Sequence, residues 1–516
     1  MFMKKFLNKL LFSKGAVAFF TAFSAVSALF FYSVRYGFVF VDNVLYTGFS
    51  LGLFVFVVLG GISLLLILNA KVRKKYIISE KFMNVIAFIS EVLAVIAFVY
   101  SAVALITDKG MSLSSAYALC QSAWPVWSLV VGVSFFAFAF PLIKKKTARK
   151  IISCITAAVL LFVLYAGVFP VTPYKFTSGP VVFDNGAEYS VVFSTNDKGT
   201  GYIEYAYNDE TVRIYDESGG RKNGDSIIHT VAVPKEQLSG NTYKVGSTRV
   251  VDELSYGGRN GKIIESESYS FHDAFGSDID ILTVSDWHTK NERAEKAAAA
   301  LGDYQALVLL GDCAPGLMSE KDIADYILEF AYDLTDGEMP VIYVRGNHET
   351  RGTEAADLAD HLGYEDFYYT TSLGNYNFIV LDSCEDKEDS HPEYGGMVDY
   401  EHYRKNMVDW LETLESTNSN TIALCHAREI CREPELSQRA LAKLDLLGVS
   451  LLASGHSHTL EFDNSGAFPV LIDGGVDSAG SGSYVASIMR ISPNGIELES
   501  TDENGEILLS ENVLWR

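Results

Sequence analysis

The chain begins with long apolar segments and changes near residue 170 to shorter runs in which apolar and polar residues alternate. Five of the apolar segments reach about 20 residues, which is the length that a helix needs to cross a bilayer. They occupy approximately residues 16–34, 44–69, 82–106, 118–143 and 151–169. The pattern predicts an α-helical transmembrane region of about five helices over residues 1–170.

Cationic residues around these segments predict how the chain is oriented in the membrane. Clusters of Lys and Arg precede the first segment and lie in the loops after the second and fourth, whereas the alternate loops contain only Arg35 and Lys109. Cationic loops stay in the cytoplasm. We therefore expect a multi-pass protein of the cell membrane whose amino terminus is inside and whose residues after 170 are extracytoplasmic. A cleaved signal peptide over residues 1–30 is an alternative that leaves this location unchanged.

Charge separates the two parts of the chain further. Residues 1–170 carry 16 Lys and Arg against 4 Asp and Glu, and the remainder carries 25 against 60. An acidic protein does not attract nucleic acid through a diffuse basic field, so no nucleic-acid partner is expected. Local binding of a phosphate group remains open, because bound metal ions dominate the charge of their surroundings.

Residues 171–275 have the pattern of a β-rich segment. Pro170, Pro173 and Pro180 end the last apolar helix. Seven short alternating runs follow, and turn-forming clusters such as NDKG and ESGG separate them. This arrangement predicts a β-sandwich.

From residue 278 onward, apolar strands alternate with helical stretches, which predicts an α/β domain over residues 276–516. The helical stretches are predicted near residues 319–334, 353–361, 399–416 and 436–446. Five of the strands end in polar residues that can bind metal ions. These ends are Asp286-Trp287-His288, Gly311-Asp312, Gly346-Asn347-His348-Glu349, His426 and Gly455-His456-Ser457-His458. In open α/β sheets the ligand crevice lies at the carboxyl ends of the strands, so we expect these side chains to meet at one edge.

The residue types and their spacing fit a metal site. In extended backbone, residues i and i+2 point the same way, so Asp286 and His288 are expected to grip one ion together. His456 and His458 also share a side, and two neighbouring ions could each take one of them. Carboxylate, amide and imidazole ligands suit hard and borderline divalent ions. The glycines before Asp312, Asn347 and His456 are expected to let the backbone turn sharply.

The motifs D-x-H, G-D, G-N-H-E, a single H and G-H-x-H, in this order, resemble the calcineurin-like metallophosphoesterase superfamily from residue 278 to about 490. The resemblance implies an αββα sandwich that binds two divalent metal ions, with Mn, Fe or Zn as candidates. It implies that Asp286, His288 and His458 bind the first ion and that Asn347, His426 and His456 bind the second. Asp312 would bridge both ions, and His348 would act on the leaving group.

The segment before this domain resembles the fibronectin-III-like domain of purple acid phosphatases, on the runs SVVFSTNDKGTGYIEY, LSGNTYKV and YSFH. The metal motifs depart from that family, because Pro315 replaces the tyrosine that binds its iron and His288 replaces a glycine. The site therefore resembles the colourless members of the superfamily. The run GDCAPG lacks the Asp and Arg residues of phosphoprotein phosphatases, which weakens that alternative.

Residues near the motifs leave several alternatives open. Arg345 either contacts phosphate or, as we favour, forms an ion pair, and Glu349 is expected to orient a ligand. The loop Cys384–Asp399, which follows Asp382 and Ser383, is a lid over the site, a loop that selects the substrate or a solvated segment. Cys425 and Cys431 either form a disulfide or remain free. The histidines outside the motifs are expected to be ordinary core or surface residues: His229, His272, His361, His391 and His402.

These observations predict a membrane-anchored phosphoesterase with an extracytoplasmic catalytic domain. Two ions about 3.5–4 Å apart activate a bridging hydroxide, which would attack a phosphate monoester or diester. The expected substrate is a small phosphoester or a phosphate linked to the cell envelope. The alternative is a metal-dependent module that binds or senses a phosphate ligand and is coupled to the membrane bundle.

Overall fold

The computed structural model describes residues 173–254, 257–416, 420–475 and 482–516. The predicted transmembrane region over residues 1–170 lies outside these residues. In the part of the chain that is described, no helix is both long and apolar enough to cross a membrane. Residues Tyr174–Arg249 and Lys262–Arg516 form one compact unit, to which Val250–Gly261 does not belong.

Strands make up most of the segment before residue 276, and strands alternate with helices after it. The strands are β1 Phe176–Asp184, β2 Tyr189–Thr195, β3 Gly199–Tyr207, β4 Glu210–Tyr215, β5 Glu217–Ser218, β6 Arg221–Lys222, β7 Ile228–Val233, β8 Thr242–Leu254, β9 Gly257–Glu265, β10 Tyr269–Ser270, β11 Ile279–Val284, β12 Ala306–Leu309, β13 Pro340–Tyr343, β14 Tyr369–Leu373, β15 Tyr376–Leu381, β16 Thr421–Cys425, β17 Val449–Ser454, β18 Glu461–Asp463, β19 Val470–Ile472, β20 Val485–Ser492, β21 Gly495–Asp502 and β22 Ile507–Val513.

One short helix, α1 Lys235–Leu238, lies between β7 and β8 of the β-rich segment. The other helices connect strands of the second half and are α2 Asn291–Ala299, α3 Glu320–Ile323, α4 Glu329–Thr335, α5 Leu358–Leu362, α6 Tyr400–Thr413 and α7 Pro434–Leu446. A π-helical turn, Ala324–Leu328, joins α3 to α4, so the helix predicted near 319–334 is continuous but irregular. Ser319 begins it with a capping box, in which the Asp322 carboxylate accepts from the Ser319 backbone N–H. Sequence analysis did not predict α2.

A nine-stranded sheet runs through the unit in the order β22-β21-β20-β11-β12-β13-β1-β2-β7. Strands β11, β12 and β13 are parallel, as their strand–helix alternation predicts. Strand β1 then pairs with β13 in parallel, with Val182 opposite Pro340. The sheet therefore continues across the predicted boundary at residue 275.

The second sheet of the catalytic half has the order β14-β15-β16-β17-β19-β18 and is parallel from β15 to β19. Its central strands β15, β16 and β17 are almost wholly buried on both faces. Phe378 and Val380 of β15 belong to the core shared with the nine-stranded sheet, whereas the alternating Ile379 and Leu381 pack with helices α6 and α7. Because successive residues of a strand face opposite sides, β15 lies between two apolar layers. This arrangement confirms the predicted α/β layers.

The β-rich segment is a sandwich that shares one of its sheets. Strands β1, β2 and β7 pack on the sheet β10-β8-β3-β4, and Val182 and Val191 meet Ile203 and Val245 in the core between them. A separate fibronectin-III-like domain over residues 171–275 is not confirmed. The physical reason lies in β1, whose residues from Pro180 onward are all buried. A strand that is apolar on both faces suits the interior of a sheet and not its edge.

Candidate metal centre

The predicted ligands follow the carboxyl ends of neighbouring strands in the two facing sheets. Asp286 follows β11, Asp312 follows β12 and Asn347 follows β13 in the nine-stranded sheet. His426 comes directly after β16, and His456 follows β17, in the six-stranded sheet. The parallel strands at the centre of each sheet therefore place their polar carboxyl ends at a common edge, as the sequence predicts.

Asp286, His288 and His458 form the first cluster, with ligand atoms that all lie within 4.8 Å of one another. The Asp286 Oδ1 atom is 3.6 Å from Nε2 of His458 and 3.9 Å from Nε2 of His288. The two imidazole rings stack with their centroids 5.1 Å apart. This is the trio that the resemblance assigns to one metal ion.

The second cluster contains Asp312, His426 and His456. Nε2 of His426 lies 3.3 Å from Oδ2 of Asp312. Nδ1 of His456 lies 3.0 Å from Oδ1 of Asn347, which brings the amide to the same place. The structure thus gathers all members of the second predicted set.

Asp312 lies between the two clusters. Its Oδ2 atom is 3.8 Å from Nε2 of His288 in the first cluster and also 3.8 Å from Nε2 of His348. Its Oδ1 atom accepts a hydrogen bond of 2.9 Å from the His348 backbone N–H. One oxygen is therefore fixed by the backbone and the other faces both clusters, a position that suits a bridging ligand.

The backbone at the site differs from the extended geometry expected for D-x-H and H-x-H. Five predicted ligands have a left-handed backbone, with φ of 51° at Asp286, 39° at His288, 60° at Asp312, 69° at His456 and 54° at His458. Each such residue costs on the order of 1–3 kcal/mol, and such strain clusters at functional sites. The tight turns place Asp286 and His288 in the same cluster and place His456 and His458 in different clusters.

The three glycines of the site, Gly311, Gly346 and Gly455, are all required by close approach, and a Cβ atom on Gly311 would lie 2.4 Å from the backbone nitrogen of Gly346. A Cβ atom on Gly346 would lie 2.3 Å from the backbone nitrogen of Asp312, and one on Gly455 would lie 2.6 Å from Oδ2 of Asp286. Gly311 alone among the three has the positive φ, 91°, that a sharp turn demands. The expected turning role therefore holds for Gly311, whereas Gly346 and Gly455 leave room for ligand-bearing loops.

Charges within the centre shift its ionisation. Burial alone would lower the pKa of His426, but the carboxylates of Asp312 and Asp286 outweigh it and raise the pKa to about 10. Burial raises the pKa of Asp286 to about 6. For Asp312, the His426 side chain and the hydrogen bond from the His348 backbone N–H overcome the effect of burial and hold the pKa below its usual range. The side chains of the centre are therefore closely interacting acids and bases.

Two features show that these side chains fit a cation. Oδ1 of Asp286 is buried and has no hydrogen-bond partner among the described residues, a cost of about 1–3 kcal/mol that a bound cation would remove. Nδ1 of His426 donates a hydrogen bond of 2.6 Å to the Leu310 carbonyl, which directs Nε2 toward the site. Metal-binding histidines typically make this second hydrogen bond.

Glu349 fixes the loops that carry the ligands. Its buried carboxylate accepts hydrogen bonds from the backbone N–H groups of Asp312, Cys313 and Gly346 at 2.9, 2.6 and 2.8 Å. These contacts tie the loop after β12 to the loop after β13. Glu349 therefore positions the backbone of Asp312, which agrees with the expected orienting role.

Arg345 is an ion-pair partner, as we favoured. Its Nη2 atom is 2.6 Å from Oδ2 of Asp382, and its guanidinium group packs against Phe367. Asp382 follows β15 at the same edge as the ligands, but its carboxylate is engaged by Arg345. The disulfide considered for Cys425 and Cys431 is not formed, and both thiols are free and buried.

Two residues near the centre were missed by sequence analysis. Nη1 of Arg351 lies 2.9 Å from Nε2 of His348, and the same guanidinium group pairs with Glu385. Asp473 follows β19 at the ligand edge, and its Oδ2 atom has no partner among the described residues. The sequence contained two signals for these residues. Arg351 comes three residues after His348, and Asp473 directly follows the apolar strand β19.

Residues 279–460 match the model of the calcineurin-like phosphoesterase family. This segment is a calcineurin-like phosphoesterase domain, and it contains all seven predicted metal ligands and His348. The protein is accordingly a metallophosphoesterase, a hydrolase of phosphoric ester bonds.

Several solved structures resemble the chain at low sequence identity. GAP50 of the inner membrane complex of Plasmodium is 15% identical, with a TM-score of 0.35 over 47% of this chain and 90% of that one. A predicted phosphoesterase from Streptococcus pneumoniae is 14% identical, with a TM-score of 0.24 over 47% and 99%. The phosphopantetheinyl hydrolase of Mycobacterium tuberculosis is 15% identical, with a TM-score of 0.26 over 38% and 89%. The comparison with curated proteins found no match.

Proposed function

We propose that this protein is a membrane-anchored phosphoesterase that uses two divalent metal ions to hydrolyse phosphate monoesters or diesters outside the cytoplasmic membrane. The observation that carries the proposal is the placement of Asp312 between two clusters of ligands, within 3.8 Å of His288 and 3.3 Å of His426. The family match of residues 279–460 supports the reaction class.

Two sets of side chains would each hold one metal ion. Asp286, His288 and His458 would hold one ion, and Asn347, His426 and His456 the other, with Asp312 shared. When bound, such a pair of ions supplies Lewis acidity, which activates water near neutral pH and stabilises the charge that develops on phosphoryl oxygens. The mixed oxygen and nitrogen donors make Mn, Fe and Zn the candidates.

His348 is proposed to act at the leaving group. Its backbone N–H is fixed on Asp312, and its ring is partly exposed at the rim of the site. An arginine has only donors, so Nε2 of His348 accepts the hydrogen bond from Arg351 and the ring carries its proton on Nδ1. To give a proton from Nε2 to a leaving alkoxide, His348 must first release the contact with Arg351 and take up a proton from solvent at Nε2.

Location and substrate are proposed from the sequence pattern. The cationic loops within residues 1–170 favour an extracytoplasmic position for residues 171–516. At that face of the membrane the enzyme would meet small phosphoesters and phosphate groups linked to the cell envelope. Because this part of the chain is strongly acidic, nucleic acid is not an expected partner.

The test uses full-length protein purified in detergent, supplied with Mn²⁺, and an aryl phosphate monoester and an aryl phosphodiester as substrates. We expect turnover of at least one substrate, and we expect Asp312→Asn to reduce it by about 100-fold or more, because losing even a partner of a metal ligand costs about 10- to 100-fold. Asp445→Asn, on a half-exposed carboxylate paired with Arg516, is the control and should retain activity. Full turnover by Asp312→Asn contradicts the proposal.

A further inference from the structure

The feature that extends the proposed function is the guanidinium group of Arg351 beside His348. Arg351 follows the short 3₁₀ turn His348–Thr350 that begins at the G-N-H-E motif. Nη1 of Arg351 lies 2.9 Å from Nε2 of His348, which in turn lies 3.8 Å from Oδ2 of Asp312. The positive charge of Arg351 is therefore separated from the Asp312 carboxylate by one side chain, that of His348.

Contacts on both sides hold Arg351 in place. The Glu385 carboxylate, only 1% exposed, binds Nε and Nη2 of the guanidinium group, the latter at 3.1 Å. The backbone carbonyl of Arg351 accepts a hydrogen bond of 2.7 Å from the Leu317 N–H. Because a side chain fixed before binding loses little entropy when a ligand arrives, this anchoring suits recognition.

The guanidinium group has donors left for a ligand. Of its five N–H groups, two face Glu385 and one faces His348, and the described residues offer no partner for the other two. The side chain is 35% exposed, whereas Arg345 is 11% exposed and committed to Asp382. Arg351 thus combines a fixed position, free donors and solvent access beside the centre.

We propose that Arg351 binds the phosphoryl group of the substrate and makes the enzyme selective for phosphate monoesters; this inference rests on the proposed function. The planar fork of a guanidinium group matches the spacing of phosphate oxygens. A monoester offers three terminal oxygens and a diester offers two, so a monoester has one more oxygen for Arg351. In a diester an organic group replaces that acceptor.

The test compares full-length wild type with Arg351→Ala, Arg351→Lys and the control Arg432→Ala. Arg432 is 36% exposed and also pairs with the loop Cys384–Asp399, through Glu388 at 3.0 Å, so it matches Arg351 in exposure and in loop contact. The measurements are kcat/KM for an aryl phosphate monoester and an aryl phosphodiester, the inhibition constant of inorganic phosphate, and thermal unfolding of each variant.

We expect Arg351→Ala to lower kcat/KM for the monoester by about 10- to 100-fold, the scale of one or two hydrogen bonds to a charged group. Inhibition by phosphate should weaken by a similar factor, and the diester should lose less than about 3-fold. Arg351→Lys keeps the charge without the fork and should fall between wild type and Arg351→Ala. Arg432→Ala should match wild type on every measure.

Three outcomes overturn this inference alone, and a fourth contradicts the proposed function. Equal losses on both substrates with unchanged phosphate inhibition overturn the inference, because they mean that Arg351 acts only through His348 or the fold. If Arg351→Ala does not fold, the ratio of monoester to diester turnover in Arg351→Lys decides the question, and an unchanged ratio overturns it. Wild type that cleaves only the diester also overturns it while leaving the proposed function in place, and no turnover of either substrate contradicts the proposed function itself.

Discussion

Among single residues, Asp312 is held at several points in the centre. Glu349 holds its backbone nitrogen, the His348 N–H holds its Oδ1, and His426 approaches its Oδ2 at 3.3 Å. Its left-handed backbone, with φ of 60°, directs the side chain into the site. A carboxylate fixed at this many points keeps its geometry without a bound ion, which lowers the cost of binding one.

Glu349→Gln tests this support. A glutamine side chain has one acceptor oxygen and one NH₂ group, so it cannot accept all three backbone N–H groups that Glu349 now binds. We expect the free energy of unfolding to fall by about 1–3 kcal/mol and metal affinity to fall by about 10- to 100-fold. Urea unfolding and metal titration measure the two effects. Glu497→Gln, on an exposed strand position, is the matched control, and equal behaviour of both variants would refute the supporting role.

The burial of His229 predicts how the stability of the fold depends on pH in acid. This histidine is buried, as expected for a core residue, with Nε2 at 2.9 Å from Oγ1 of Thr195 and 3.1 Å from Oγ of Ser247. Burial lowers its pKa from 6.5 to about 3. The unfolded chain therefore binds a proton that the folded chain rejects, so this contribution to stability is present above pH 6.5 and is lost as the pH falls toward 3.

His229→Asn removes this titration and keeps an amide that can accept a hydrogen bond. Between pH 6.5 and 3, the free energy of unfolding of wild type should fall more steeply than that of the variant, by up to about 1.4 kcal/mol per pH unit. Denaturant unfolding at a series of pH values gives both slopes. Parallel slopes would show that His229 is not buried neutral in the folded chain.

Among the secondary-structure elements, the strand ends of the catalytic half were predictable and the strand order was not. Each ligand follows a short apolar run, so the sequence alone places Asp286, Asp312 and His426 at a common edge. Their division into two clusters depends on tight left-handed turns, which residues such as Asp286 and His456 adopt only because the surrounding packing enforces them. No local pattern encodes such a turn at a non-glycine residue.

The pairing of β1 with β13 was unpredictable for a different reason. It joins residues 158 positions apart, Val182 and Pro340, and a local sequence pattern does not specify so distant a partner. The run PVVFD of β1 reads as a strand of a sandwich whether or not its second face is covered. Arg351 was missed because its role depends on a side-chain direction, and only Glu385 and His348 together define that direction.

The shared sheet predicts that the β-rich segment and the catalytic half unfold together. Phe183 of β1 lies in the core of the catalytic half, and its neighbour Val182 lies in the core of the sandwich. Phe183→Ala should lower the free energy of unfolding by about 3–5 kcal/mol in a single transition that also releases bound metal. Calorimetry with metal release as the second probe measures this. Two separate transitions, with metal retained through the first, would indicate independent domains.

For the whole molecule, the uneven distribution of Lys and Arg among the loops of residues 1–170 is the feature with the widest consequences. The proposed topology, with the phosphoesterase domain on the extracytoplasmic face, rests on this distribution. The compact unit formed by Tyr174–Arg249 and Lys262–Arg516 would then face substrates of the envelope.

Cysteine labelling in intact cells tests this topology. Ser510→Cys introduces a thiol at an exposed position of β22, and Lys75→Cys introduces one in a loop predicted to be cytoplasmic. A membrane-impermeant maleimide should label Ser510→Cys in intact cells and Lys75→Cys only after the membrane is permeabilised. Wild type is the background control, and the reverse pattern would place the catalytic domain in the cytoplasm.

The most direct test of the central claim is an anomalous difference map from crystals of the protein grown with Mn²⁺. We expect two peaks about 3.5–4 Å apart, one beside Asp286, His288 and His458 and one beside Asn347, His426 and His456, with the Asp312 carboxylate touching both. A map with no peak at Asp312, or with peaks bound by other side chains, would contradict the account.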